Sequence, residues 1–223
     1  MDDVLVVIPC YDQAKYLAEA IESALAQTYP VDVVVVDDGS RDGAAEVARC
    51  YPVRLIRQQN RGVSAARNAG IASGTHAWVL PLDADDRLEP AMVETLIGLD
   101  DIAGPSVLTF GSTEAPWGPP LAHPVLADFL EANHCIMSSL YRRQVWAAIG
   151  GYDEAMRDGG EDWDFWIRAA AAGFAFTIVS DRLFRYRVYR ESRADRPNSS
   201  GRFQSKRAEI RAYMAAKYAQ GGL

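Results

Sequence analysis

The residues of this chain best placed to do chemistry are aspartates, and they stand in three clusters. Leu82-Asp83-Ala84-Asp85-Asp86 puts three carboxylates within four residues. Such groups repel one another unless a cation or strong donors neutralise them. Hard oxygen ligands of this kind suit Mg²⁺ or Mn²⁺, with phosphate oxygens completing the shell. Capping a helix would need only one of the three. A second cluster, Asp37-Asp38-Gly39-Ser40, follows the apolar run Val33–Val36. An aspartate at the end of a strand can accept from a base N–H or a ribose hydroxyl, although Asp, Gly and Ser also make ordinary turns and caps. The third, Gly159-Gly160-Glu161-Asp162-Trp163-Asp164, opens a patterned helix. Its acids either answer the helix dipole or point Asp162 or Glu161 into a cleft as a general base.

Positioning these acids falls to a regular alternation over the first 110 residues. Val4–Ile8, Val33–Val36, Val53–Ile56, Ala77–Leu80 and Val107–Phe110 read as strands. Helical stretches lie between them, over about Ala14–Gln27, Ala44–Cys50, Val63–Ala72 and Pro90–Leu99. Buried strands separated by helices predict an α/β fold with a mostly parallel, Rossmann-like central sheet and helices on both faces. Each acidic cluster then stands at a strand end or a helix start, facing the crevice where open α/β sheets bind ligands. Gly111–Pro124, with four prolines, reads as a connecting loop. A second, smaller part follows: a strand near Cys135–Tyr141, a helix over Arg143–Ile149, a turn at Gly150-Gly151 and a helix over Glu161–Ala172. Arg190–Gly201 is polar and Arg-rich and reads as mobile, and Arg202–Gln220 is helical. The expected units are residues 1–110, a nucleotide-binding half; 111–190, the second half of the same domain; and 191–223, a basic C-terminal segment.

Composition narrows the class. Of 223 residues, 49% are apolar and 24% charged, which excludes disorder, collagen-like repeats and a disulfide-built mini-protein. Cys10, Cys50 and Cys135 form no CxxC pair, and each reads as a core residue. The opening Met1-Asp2-Asp3 has the wrong charge for a secretory leader, and no apolar run is long enough for a span, so a cytoplasmic protein is expected. The net charge of −7 hides an asymmetry. Residues 1–181 hold 12 Lys+Arg against 27 Asp+Glu, and residues 182–223 hold 11 against 3. Phe203, Ile210, Tyr213 and Met214 can share one face of the C-terminal helix. Peripheral contact of residues 202–223 with anionic lipid at the inner face of the membrane is one reading; a helix docked on the acidic body is the other, and the preferred one.

The first strand runs into Pro9-Cys10-Tyr11-Asp12-Gln13, with neither GxGxxG nor GxxxxGK[ST], so the dinucleotide and NTPase loops are absent where they should stand. A nucleotidyltransferase would carry a Gly-rich, basic loop there. What the chain does carry resembles an inverting glycosyltransferase of family 2 with the GT-A fold. The matching segments are Val7-Ile8-Pro9-Cys10-Tyr11, Val36 to Asp42, Asn60 to Gly70, Leu82 to Asp86, Ile149 to Glu154 and Glu161-Asp162, in that order.

The resemblance implies roles. Pro9, Tyr11 and Asp38 line the nucleobase pocket, Asp38 accepting from uracil N3–H. Gly62 and Arg67 lie beside the ribose and the acidic motif. Asp83, with Ala84 next to it, meets the ribose, and Asp85 ligates Mn²⁺ or Mg²⁺ on the donor diphosphate. Asp162 deprotonates the acceptor hydroxyl, assisted by Glu161. The implied partners are a nucleotide-sugar donor, a UDP-sugar first among them, and a carbohydrate, lipid-linked or other hydroxyl acceptor, with no nucleic acid. Relatives often carry a metal-binding histidine shortly after a Tyr-Arg pair. Here Tyr189 stands there, which predicts weak metal affinity without donor and a phosphate-neutralising role for Arg185, Arg187 and Arg190. A nucleotide-sugar or carbohydrate-binding protein without turnover is the alternative. Trp117, His134, Met137, Trp163 and Trp166 are candidate acceptor linings, or core.

Overall fold

The computed structural model describes residues 3–112, 114–117, 121–157, 159–189 and 199–218, without the side chains of Trp117 and of 199–207. Its elements are β1 (Val4–Cys10), α1 (Ala14–Leu25), β2 (Asp32–Asp37), α2 (Ala44–Arg49), β3 (Arg54–Arg57), α3 (Val63–Ala72), β4 (Trp78–Pro81), β5 (Arg87–Leu88), α4 (Met92–Leu96), β6 (Ile102–Gly111), β7 (Pro116–Trp117), α5 (Leu126–Glu131), β8 (Leu140–Arg142), α6 (Arg143–Ala148), α7 (Glu161–Ala171), β9 (Phe176–Val188) and α8 (Ser199–Tyr218).

The sheet runs β3-β2-β1-β4-β8-β6-β9-β5, with β7 paired to β6. β3, β2, β1 and β4 are mutually parallel, the Rossmann-like half expected from the sequence. β8 is antiparallel to both β4 and β6 and so joins the two halves into one sheet. Every residue of β1 is buried. Strand alternation sends Val4, Val6 and Ile8 into a core with Leu17 and Ile21 of α1 and with Met92 and Leu96 of α4. Leu5 and Val7 enter the opposite core with Ile71 of α3, Phe165 and Trp166 of α7, and Met214 and Tyr218 of α8. Helices cover both faces.

Several boundaries differ from expectation. β6 begins at Ile102, not Val107, because Ala103-Gly104-Pro105-Ser106 has no strand signature, and its pairing with β9 shifts register at Gly104 and Ser106. β9 was not foreseen: Ser180-Asp181-Arg182 interrupts its apolar pattern. α5 was also not foreseen, and α4 is shorter than Pro90–Leu99. Of the Cys135–Tyr141 region only Leu140 and Tyr141 are strand, as the start of β8. Cys10 and Cys135 are buried as expected, but Cys50 is exposed at the end of α2. Most of Arg190–Gly201 lies outside the described residues, and α8 already runs from Ser199.

Candidate active site

The base-side acids differ in what they hold. Asp37 is fully buried and braces its own turn: it accepts from the Ser40 amide at 2.8 Å and from Arg57 Nε at 2.8 Å. Asp38 ties β2 to the loop before α3. Its Oδ1 accepts from Gln58 Nε2 at 2.7 Å and the Arg61 amide at 2.9 Å, and its Oδ2 from the Gly62 amide at 2.8 Å. A carboxylate has about four lone-pair sites, so these three donors leave one site on Oδ2 unfilled, on a residue that is itself buried. Pro9 is buried in β1, whereas the Tyr11 ring is 48% exposed beside this corner.

The loop after β4 carries the second cluster. Arg67, on α3, is buried and donates through Nη2 to Asp83 at 2.7 Å and through Nη1 to Glu161 at 2.9 Å. One guanidinium therefore spans the acidic loop of the parallel half and the first turn of α7. Burial disfavours its charge, but Asp83 and Glu161 outweigh that and raise its pKa. Tyr152 supports the same group, its ring 5.6 Å below the guanidinium carbon. Burial raises the pKa of Asp85 although the Tyr189 hydroxyl donates to its Oδ2 at 2.6 Å. Asp86, deeper still, is pushed well up by burial and by the charges of Asp83 and Asp85. An unbalanced set of carboxylates fits a hard divalent cation. Among the described residues no three His, Cys, Asp or Glu side chains form a ready-made cage, so a cation here needs ligand and water oxygens as well.

Of the three arginines expected at the diphosphate, the two that are described are each paired with a glutamate. Arg185 meets Glu89 at 2.5 Å and Glu114 at 3.6 Å. The Arg187 amide donates to Asp86 at 2.8 Å, and its guanidinium holds the Asp85 carbonyl at 2.6 Å and Glu19. Arg190 lies outside the described residues.

Asp162, in the first turn of α7, is half-buried. Its Oδ2 accepts from Asn133 Nδ2 at 2.8 Å, and its Oδ1 from the Trp163 amide at 2.8 Å. Burial, then the charge of Glu161, pushes its pKa up to about 6. Asn133 was not singled out from sequence, because a lone asparagine in an irregular stretch carries no pattern. Its Oδ1 accepts from the Cys135 amide at 3.3 Å, which fixes which end of the amide faces Asp162. Asn68 was also missed as an individual residue, although it lies within a matched segment; it braces the 152–154 turn through Tyr152 and Glu154. The aromatic candidates divide differently. Met137, Trp163 and Trp166 are core, and His134 stands half-buried near Phe129. Nothing is described of the Trp117 side chain.

With this geometry in hand, comparison with known proteins identifies the class. The S. aureus TarS 1–349 crystal structure superposes with a TM-score of 0.71 at 19% identity, covering 83% of this chain and 60% of TarS. A mannosyltransferase of Pyrobaculum calidifontis, solved with GDP-Man and Mn²⁺, gives 0.70 at 18%, covering 99% of this chain and 65% of its own. The fold is that of the GT-A glycosyltransferases. The family model described as Glycosyl transferase family 2 matches residues 5–150, and the chain belongs to that family. The succinoglycan biosynthesis protein ExoU of Rhizobium meliloti is 31% identical over 204 residues, 79% of this chain and 59% of its own length. The uncharacterized glycosyltransferase EpsJ of Bacillus subtilis is 28% identical over 221 residues, 88% of this chain and 62% of its own. The chain thus spans less than two thirds of each of these relatives.

Proposed function

We propose that the chain transfers a sugar from a nucleoside-diphosphate donor, UDP-sugars first, to an acceptor hydroxyl with inversion at the anomeric carbon. The observation that carries this reading is Arg67, which joins Asp83 on the donor side to Glu161, neighbour of the proposed base, through one buried guanidinium. Family membership and the nucleotides named for the solved neighbours, UDP-GlcNAc on TarS and GDP-Man with Mn²⁺ on the mannosyltransferase, support it.

In this scheme Tyr11 and Pro9 frame the base, and the open position on Asp38 Oδ2 accepts the uracil N3–H. Asp83, one oxygen committed to Arg67, offers the other to the ribose, with Ala84 beside it and Gly62 opposite. Asp85 would hold Mn²⁺ or Mg²⁺, which supplies charge to the departing diphosphate. Asp162 removes the proton of the acceptor hydroxyl as that oxygen bonds to the anomeric carbon and the carbon–diphosphate bond breaks on the opposite face. The acceptor proton ends on Asp162. Glu161 assists by keeping Arg67 in place and by its charge, which makes Asp162 a stronger base.

The test is a panel of UDP- and GDP-sugars with Mn²⁺ or Mg²⁺, scored by nucleotide release and by donor-induced thermal shift. Transfer expects one donor to be turned over by the wild type, and turnover to be lost in Asp162→Asn with thermal shift retained. A binding protein without turnover gives the shift and no release in either.

A further inference from the structure

The basic C-terminal helix is fastened to the turn that carries Asp162. Ile210 Cγ2 lies 2.7 Å, and Met214 Cε 3.2 Å, from where a Cβ on Gly160 would stand. α8 therefore rests against the backbone immediately before Glu161. Gly160 has φ +85, so glycine is needed there for both the left-handed backbone and the close approach. On the other side of the turn, Asp164 is fully buried. Its Oδ1 accepts from the Tyr218 hydroxyl and from Lys217 Nζ, both at 2.6 Å, and its Oδ2 from Arg168 Nε at 2.8 Å. Lys217 also donates to Asp153 at 2.9 Å, and the Asp164 amide closes the turn on the Gly160 carbonyl at 2.9 Å. Arg211 reaches Glu131 of α5 at 2.9 Å, two residues before Asn133. Glu161 and Asp162 thus lie between two points, Gly160 and Asp164, that α8 holds.

We propose that α8 is a positioning element for the general base: Ile210 and Met214 on Gly160, with Lys217 and Tyr218 on Asp164, keep Asp162 aimed where Asn133 and Arg67 meet its turn. The inference rests on the assignment of Asp162 as base. Lys217 and Tyr218 touch neither donor nor acceptor in this scheme; they act through Asp164. Without Lys217 and Tyr218, Asp164 keeps Arg168 on Oδ2 but loses both donors to its buried Oδ1; an acceptor left so would draw water or shift its helix, and the adjoining turn would loosen with it. The donor side, built on β1, β2 and β4, would not.

Three readouts on the full chain test this, in Lys217→Met/Tyr218→Phe and in the milder Ile210→Ala. Amide exchange of residues 160–164 should rise about tenfold or more, while that of β1 and β2 stays unchanged. Carboxyl ¹³C titration, with Asp162 assigned from the loss of its signal in Asp162→Asn, should show its inflection falling from about 6 toward the ordinary carboxylate range as the turn takes up water. Hydrolysis of UDP-GlcNAc with Mn²⁺ should lose about tenfold in kcat with KM held within about twofold. An unchanged Asp162 inflection overturns the proposal, as does a rise in KM equal to the loss in kcat. So does exchange rising throughout the sheet in Ile210→Ala as well as in the double variant. A wild type that hydrolyses no nucleotide-sugar counts against the enzymatic reading instead, since exchange and titration still report on the clasp.

Discussion

At the scale of single residues, Asp162 is held in a state useful for a base and costly for the fold. Arg67, Glu161, Cys135 and Tyr186 are the titratable and charged groups that sense it, and burial is the largest influence on its own pKa. If Asp162 is the base, the nucleotide-release rate rises with pH through about 6, with unit slope below and a plateau above. A profile flat between pH 5 and 8 would remove it from that role. Asp162→Asn should lower turnover by about 10²-fold or more. It should also stabilise the protein. A carboxylate whose pKa is higher folded than unfolded loses stability as pH rises from its unfolded value through its folded one. The gain on removing it is therefore absent below about pH 4 and complete above about pH 6. Discounted for its partial exposure, the gain is about 1 kcal/mol, read from denaturant midpoints at pH 4 and pH 7.5. Asn133→Ala takes away a donor to the charged form. It should raise the inflection by roughly half a unit and lower kcat more than it raises donor KM.

At the scale of elements, α3 links the two halves and does so by lying close to the sheet. A Cβ on Gly70 would stand 2.4 Å from Val7 Cγ1 and 3.1 Å from Val36 Cγ2. Gly70→Ala should therefore cost about 1–3 kcal/mol through overpacking, measured by urea denaturation. A loss under about 0.5 kcal/mol would mean the helix rides higher than described. That same closeness sets Arg67 under Asp83 and Glu161. Arg67→Met leaves a half-buried glutamate without its cation, and should destabilise by about 2–4 kcal/mol while abolishing turnover. In the parallel half β1, β2 and β4 were legible because they are buried on both faces and read as apolar runs, each ending at an acidic or turn cluster; β3, at the sheet edge, is only partly buried and shows just Leu55 and Ile56 between arginines. The other half was not legible. β9 turns polar at Ser180-Asp181-Arg182, where its middle is exposed, and β6 begins in Ala-Gly-Pro-Ser, whose strand character comes only from its neighbours. The acids that define the site were legible as clusters. Their partner Asn133 was not, nor were the contacts of Tyr152 and Asn68 inside the matched segments, because contacts across 16 to 94 residues, such as those Arg67 makes, leave no local pattern.

At the scale of the whole molecule, four of the described basic residues of the C-terminal stretch 182–223 pair with acids of the body. Arg185 pairs with Glu89, Arg187 with Glu19, Arg211 with Glu131, and Lys217 with Asp153 and Asp164. In the described part of α8, Met214 and Tyr218 are buried, whereas Tyr213, expected on the same face, is exposed; the Phe203 side chain lies outside the described residues. Docking on the acidic body, the reading preferred from sequence, accounts for these contacts. The docking should depend on pH in a definite direction. Asp153 has its pKa lowered, first by the hydrogen bond from Lys217, so its contribution is present above the unfolded value of about 4 and is lost as pH falls through the folded one. Lys217 is pulled the other way: burial opposes its charge, but Asp164 and Asp153 prevail and raise its pKa, so it stays charged across this range. Wild type should exceed Lys217→Met by about 1 kcal/mol at pH 7, the pair being partly exposed. The difference should shrink steadily below pH 4, where thermal unfolding followed in both proteins would show the curves converging. A gap that persists undiminished at pH 2.5 would mean that Lys217 holds α8 through its methylene stem or its pair with buried Asp164, and not through Asp153.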